Sequence, residues 1–488
     1  MEITRDNPKT TIRCALYFVC VPNALFLCCP VVSFSGLHPT YMELEKGENK
    51  MKLRKWLAPL VVSTLAVTSI TACGGGGGEA SGGNLEDAQT AAEDTTPITI
   101  QYWHSHAEAQ MPGLNYMLAE FNKQYPYITV EPVFQGGYAD LHKKLQAAVA
   151  ANEVPAVTNV EVSSLPNFAD GGVFADLTEY IKRDKIDMND FSKGMLAAYA
   201  YNNKQYGFPL IVSTSVMVYN KTMLDGLGVK PPQTWAEIED FNKKVTVKEG
   251  GKTTRYAFSV PGWDTWYYDP WISNGGGSIL TKDNKSGFDQ PDSLRWAQQY
   301  KKWLDEGSMH MGYGKGASDN MRQMFLEGKI GMVQHTSAVL KTYVENAKFE
   351  VGVSFIPGDK ERKSHIGGAG IVMMDLAPQK QKEAAWKFVK FMVSAEHNIK
   401  WAEGTGYLPT HKSVVTTEEG KKYFEKWPQY KAVFDNFDNV APRIQHPGYP
   451  EFSKIYNEIV GKMILENADP VPLLKDSVKK INEVLADY

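Results

Sequence analysis

No cysteine follows Cys73 in a chain of 488 residues. The long remainder therefore has no disulfide framework, no thiolate metal site and no cysteine nucleophile, and its stability has to come from a packed core. Arginine is sparse there too. Only Arg183, Arg255, Arg295, Arg322, Arg362 and Arg443 occur after residue 96, among many lysines, so planar forks for carboxylate or phosphate are few. Charge is close to balanced, at −4 overall, which argues against a nucleic-acid binder or a polybasic membrane-surface protein. Catalytic signatures are missing: there is no G-x-S-x-G elbow, no H-E-x-x-H and no P-loop. Aromatics, by contrast, are plentiful, with 24 Tyr and 11 Trp. They fill cores and also wall ligand clefts.

The clearest local signal is Met51–Cys73. A basic cluster, Lys52, Arg54 and Lys55, precedes an uncharged apolar run from Trp56 to Ile70, which closes on Thr71-Ala72-Cys73 and five glycines. Basic, apolar and small-residue regions in that order make a secretory signal. The run is shorter than the ~20 residues of a membrane span. The pattern resembles a bacterial lipoprotein signal, which implies cleavage before Cys73, lipidation of its thiol and an extracytoplasmic protein anchored to the cell membrane. Residues 74–96 are Gly/Ser-rich and acidic with almost nothing to bury, and read as a flexible tether with a reach of roughly 25 Å. Residues 1–50 hold the other four cysteines, Cys14, Cys20, Cys28 and Cys29, without helix or strand periodicity. Met51 is the expected start and residues 1–50 a translated upstream sequence. The alternative is a genuine extension with Cys14–Phe34 as a first membrane span.

The roughly 390 residues after the tether suggest two lobes rather than one. Pro97–Trp103 alternates as a strand, and Gly113–Tyr125 carries Leu114, Met117, Leu118 and Phe121 at helical spacing. Tyr127–Phe134 reads as a second strand, Ala139–Ala151 as a second helix and Val157–Val162 as a third strand. This βαβαβ spacing favours an open parallel α/β sheet covered by helices, with ligands outside the C-terminal strand ends. Trp103-His104-Ser105, Tyr138 and Glu161 fall at or near those ends. Further on, Thr234 and Glu237 form a capping-box pattern at the start of another helix.

A collinear set of motifs then resembles the extracellular solute-binding proteins of ABC importers, of the maltose-binding type. It comprises Tyr206-Gly-Phe-Pro209, Val218-Tyr-Asn-Lys221, Leu227-Gly-Val-Lys-Pro-Pro232 with Thr234-Trp-Ala-Glu237, Met324–Met332, Val351–Gly358, Gly367-Gly-Ala-Gly370, Ala384–Met392 and Gly406-Tyr-Leu-Pro409. The resemblance spans about residues 98–485. It implies two α/β lobes joined by crossing strands, with the ligand between them. Lobe one is expected at 97–213 plus 368–404, and lobe two at 214–367 plus 405–488. It also implies closure by hinge motion and delivery of a small solute to an ABC permease, with no catalysis, no cofactor and a monomeric receptor.

Within the family the resemblance is to glycerol-3-phosphate-binding proteins. It implies ligand contacts from Tyr138, Glu161, Ser213, Trp263, Ser337, Gly368, Tyr407 and Arg443. The chemistry suits each assignment. A phosphate takes a charge-assisted guanidinium fork; Glu161 accepts from glycerol hydroxyls; Trp263 packs on the carbon skeleton. A neutral sugar or oligosaccharide is the rival solute, since sugars also use aromatic platforms. Trp263, Trp266, Tyr267, Tyr268 and Trp271 fall within nine residues and read either as core or as cleft wall. Arg443 reads either as a ligand group or as an interlobe ion pair. His104 and His106, without a third ligand nearby, make a poor zinc site, and no metal is expected. Glycosidases need two carboxylates about 5–10 Å apart, and only Glu161 stands out.

Overall fold

The computed structural model describes residues 94–488. Residues 1–50, the signal with Cys73 and the tether up to residue 93 lie outside them. Ile98–His104 forms β1, with Ile100, Tyr102 and His104 turned inward by the period-2 alternation. Helix α1 covers Met111–Gln124 and buries Leu114, Met117 and Phe121. Then follow β2 (Ile128–Phe134), α2 (Tyr138–Ala151) and β3 (Val157–Glu161). β1 pairs parallel with both β2 and β3, as the βαβαβ spacing requires. The helix starts and strand ends differ from the sequence expectation by one or two residues.

The chain then crosses over. β4, Gly207–Asn220, runs for 14 residues with every position buried except Tyr219. A strand buried on both faces is what a sheet covered on both sides needs. Beyond it come α3 (Trp235–Val245), β5 (Lys252–Pro261), α4 (Asp269–Asn274), α5 (Pro291–Asp305), β6 (Met309–Gly312), β7 (Ile330–Thr336) and β8 (Val351–Ser354). Thr234 Oγ1 accepts from the Glu237 N–H at 3.3 Å, as the capping pattern predicts. The return half of the box lands one residue early: Glu237 Oε2 accepts from the Gln233 N–H at 2.6 Å. A second crossing strand, β9 (Ser364–Met373), leads back to α6 (Gln379–Met392) and α7 (Ala395–Thr405). A two-residue strand, β10 (Val440–Ala441), precedes α8 (Tyr449–Leu465) and α9 (Pro470–Leu485).

The strands run in the order β2-β1-β3-β9-β4-β7-β5. β9 pairs antiparallel with β3 over residues 369–373 and with β4 over residues 366–372. The far half of β4 pairs antiparallel with β7 and β8. The two long strands thus knit together two α/β halves. One core cluster, built on β1, α1 and α6, holds Phe121, Trp386 and Phe388. A second holds Trp271, Trp296, Trp303 and Tyr456. A third, with Val160, Val212, Val333 and Tyr343, runs between them. Among the described residues no helix is long and apolar enough to cross a membrane.

Candidate functional site

Glu161 ends β3 and caps the single 3-10 turn that follows. Its Oε2 accepts from the Ser163 N–H at 2.9 Å and from the Ser163 hydroxyl. That leaves Oε1, which accepts from Arg443 Nη1 at 2.9 Å. The residues are 282 apart in the chain and nearly closed off from water, with side-chain exposures of 13% and 9%. Arg443 stands in the loop 442–448 between β10 and α8. Its Nη2 donates to the Tyr449 hydroxyl at 3.0 Å, while its Nε is buried without a partner. Burial works against the guanidinium charge. Tyr449, Glu161, Asp264 and Asp269 outweigh it and hold the pKa well above the ordinary value.

Asp269, the first residue of α4, is 1% exposed. The hydroxyl of Tyr449 donates to its Oδ2, and that of Tyr456 to its Oδ1 at 2.8 Å. Burial pushes its carboxyl up to about 7, with Arg443 and the two tyrosines pulling the other way. The folded chain therefore holds this proton more tightly than the unfolded chain does. The stability linked to it is complete below the ordinary value of 3.8 and is lost as pH rises through about 7. We expect Asp269→Asn to gain on the wild type by a few kcal/mol as pH rises from about 4 to about 8. Urea unfolding across that range checks it; a pH-independent difference would contradict it.

A tyrosine wall adjoins the ion pair. Tyr138 opens α2 immediately after Gly136-Gly137 and lies beside Tyr407, whose hydroxyl accepts from Gln110 Nε2 at 3.1 Å. Tyr199 is fully buried and its hydroxyl has no partner. Burial raises the pKa of Tyr138 and Tyr199 well above the ordinary value, and the nearby Glu161 carboxylate adds to both.

The two crossing strands carry Ser213 and Gly368. Ser213 on β4 stands opposite Gly367 on β9. A Cβ at Gly367 would meet the Trp266 indole at 2.5 Å and Ser213 Oγ at 3.1 Å, so glycine is what admits the ring. Trp266 Nε1 donates to the Ile366 carbonyl at 3.1 Å. Gly368 has φ +99° and is half-buried. Ser337 is fully buried, and its Oγ accepts from the Thr214 N–H at 3.0 Å, a bond that ties β7's end to the crossing strand. Trp263 is half-buried and meets Tyr267 and His335 edge-on at 5.7 and 6.1 Å. Its neighbours Tyr268 and Trp271 go into the core: Tyr268 stacks on Trp296 at 5.2 Å, and Trp271 Nε1 donates to Gln334 Oε1 at 2.9 Å.

The structure thus joins Glu161 to Arg443, brings Tyr138 beside Tyr407, and sets Ser213 and Gly368 on the two crossing strands. Ser337 is engaged in backbone support, and Trp263 sits with Tyr267 and His335. His104 and His106 are both 2% exposed, with His106 Nε2 at 2.9 Å from the Tyr102 hydroxyl; burial pushes them down to about 4 and about 3. Sequence reasoning did not find Tyr199, Asp269, Tyr449 or His365. His365 is buried with Nδ1 unpartnered, and burial, then the charge of Arg443, pushes it down to about 3. Of these only Tyr449 carried a hint, lying six residues after Arg443.

Residues 116–432 match the family model described as bacterial extracellular solute-binding protein. A putative binding protein of Brucella abortus is 29% identical over 356 residues, 68% of this chain and 81% of that protein. The sn-glycerol-3-phosphate-binding periplasmic protein UgpB of Escherichia coli is 24% identical over 425 residues, 80% of this chain and 93% of that one. The crystal structure of UgpB from Mycobacterium tuberculosis in complex with glycerophosphocholine superposes with a TM-score of 0.69 at 20% identity, covering 80% of this chain and 99% of that one. Two α/β halves knit by crossing strands are the architecture of such two-lobed proteins. The chain belongs to the bacterial extracellular solute-binding protein family, the substrate-binding subunits of ABC importers.

Proposed function

We propose that this receptor captures a glycerophosphodiester or sn-glycerol 3-phosphate by lobe closure and delivers it to its permease, held at the membrane by lipidated Cys73. Lobe one is then 97–213 plus 368–404, and lobe two 214–367 plus 405–488. The observation that carries the reading is Arg443: a charged guanidinium, nearly buried beside Glu161, whose Nε has no partner. A phosphate oxygen satisfies that donor with a charge-assisted bond, and glycerol hydroxyls satisfy Glu161 and the tyrosine wall. UgpB of E. coli is named for sn-glycerol 3-phosphate, and that of M. tuberculosis was solved with glycerophosphocholine, which supports the same class. Glu161 and Asp264 already balance much of Arg443's charge, so a singly charged diester fits better than a doubly charged monoester.

That same balance favours a second reading, a neutral oligosaccharide. Calorimetric titration with glycerophosphocholine, glycerol 3-phosphate and a panel of neutral oligosaccharides separates the two. We expect glycerophosphocholine to bind and Arg443→Lys to weaken it at least about ten-fold, because one ammonium cannot replace the fork. Binding of a neutral sugar alone, unchanged in Arg443→Lys, overturns the phosphate reading and leaves solute capture intact.

A further inference from the structure

The two tyrosines on α8 point their hydroxyls at one carboxylate, and one of those hydroxyls is also the acceptor for the arginine of the cleft. A phenol has a single proton. Tyr449 spends it on Asp269 Oδ2. Its oxygen is then an acceptor only, taking Arg443 Nη2 at 3.0 Å and the Thr265 hydroxyl at 2.8 Å. The direction of all three bonds therefore follows from the carboxylate, because Arg443 has only donors to offer and cannot receive that proton. Tyr456 occupies Oδ1, so each oxygen of Asp269 has its own donor. Asp269, Thr265, Tyr449 and Tyr456 are all buried, so water does not stand in for any of them.

We propose that Asp269 is the positioning residue of the cleft: by fixing the Tyr449 hydroxyl as an acceptor it sets the rotation of the Arg443 guanidinium, with Nη1 on Glu161 and the Nε–H left for the solute. This rests on the reading that Arg443 grips the solute. Asp269 touches neither solute nor Arg443 by hydrogen bond; it acts through Tyr449. When Asp269 takes a proton, that acid O–H becomes a competing donor toward a tyrosine oxygen and contends with Arg443 for its place there. The groups facing Asp269 are Tyr449 and Tyr456 of α8, Tyr268 immediately before it in the chain, Arg443 of the loop before α8, and Asp264 beside the turn 265–267. Asp264 disfavours ionisation and Arg443 favours it. The ionised form supports the grip, so affinity rises with pH through neutrality.

The test uses glycerophosphocholine, whose diester does not titrate near neutrality, with the full chain as wild type, Asp269→Asn and Tyr449→Phe. In the wild type affinity should rise several-fold from about pH 6 to about pH 8, following the carboxyl. Asp269→Asn should bind about ten-fold more weakly at pH 8 with a flat profile, and Tyr449→Phe should resemble it. A wild-type profile in Asp269→Asn overturns the proposal. A readout without solute keeps the two readings apart: the Arg443 Nε–H resonance of 15N-arginine-labelled protein, assigned by its loss in Arg443→Lys. A shift of that resonance near neutral pH, absent in Asp269→Asn, supports the proposal even if glycerophosphocholine fails to bind, a failure that counts against the solute reading alone. A resonance that ignores both pH and the Asn variant overturns it.

Discussion

Arg443→Met is expected to destabilise the protein by about 3–5 kcal/mol, the usual cost of removing one member of a buried ion pair. The methionine fills similar space, so the loss is electrostatic rather than a cavity effect. It leaves Glu161, whose side chain is 13% exposed, with an unpaired acceptor oxygen, and deprives Asp269 of the cation that favours its ionised form. Glu161→Gln should cost less, because the amide keeps the Ser163 bonds through one oxygen and Arg443 retains Tyr449 and Asp269. The double variant tests the coupling. With both charges gone the losses should fall short of additive by about 1–3 kcal/mol. Urea unfolding of the four proteins measures this. Strict additivity, or a cost below about 1 kcal/mol for Arg443→Met, would mean that the pair is a solvated contact and not a closed one.

Such a pair also bears on function. Glu161 belongs to the half built on β1–β3, whereas Arg443 precedes α8, which packs in the core with Trp271 and Trp296. Gln445, in the same loop, donates to the carbonyls of Ala197 and Ala200 at 2.8 and 3.0 Å. The loop 442–448 therefore joins the two halves. A solute that contacts both Glu161 and Arg443 has differential affinity for the arrangement in which they face each other, and differential affinity is the only way a ligand can shift a closure equilibrium.

What the sequence made legible follows from which interactions are local. The βαβαβ opening was readable because alternation in Ile98–His104 and the apolar spacing of α1 are properties of a few neighbouring residues. Thr234 was readable as a cap for the same reason. Glu161 and Tyr138 lay at strand and helix ends, where ligand residues collect in parallel sheets. Asp269 was not readable. It sits in Tyr-Tyr-Asp-Pro, which looks like a turn, and its partners Tyr449 and Tyr456 come 180 and 187 residues later. Ser337 is a ligand residue by resemblance, and the bond its hydroxyl accepts from a backbone N–H 123 residues away is one that no local pattern shows. Tyr199 belonged to no motif; only the fold brings it beside Glu161 and Gly370.

Gly368→Ala is the backbone counterpart of the Arg443 substitution and should cost a similar amount. Its φ of +99° is open to glycine and strained for any L side chain, a penalty of roughly 1–2 kcal/mol. A Cβ there would also run into the Ile211 carbonyl of the neighbouring crossing strand, and relieving such overpacking costs about 1–3 kcal/mol more. The strain has nowhere harmless to go. Gly368 pairs with Val212, the β4–β9 register shifts between Ala369 and Gly370, and Ala369 is the partner of Glu161 on β3. Parting β9 from β4 therefore moves the strand that sets Glu161 against Arg443, so solute affinity should fall together with stability. Gly172→Ala is the control, because its φ is +65° and nothing lies within 4 Å of the added Cβ; it should show the conformational penalty alone and leave binding untouched. Urea unfolding and solute titration of both variants decide the matter. If Gly368→Ala costs no more than Gly172→Ala and binds as the wild type does, the crossing strands have room to separate without disturbing the ion pair, and the coupling between them is absent.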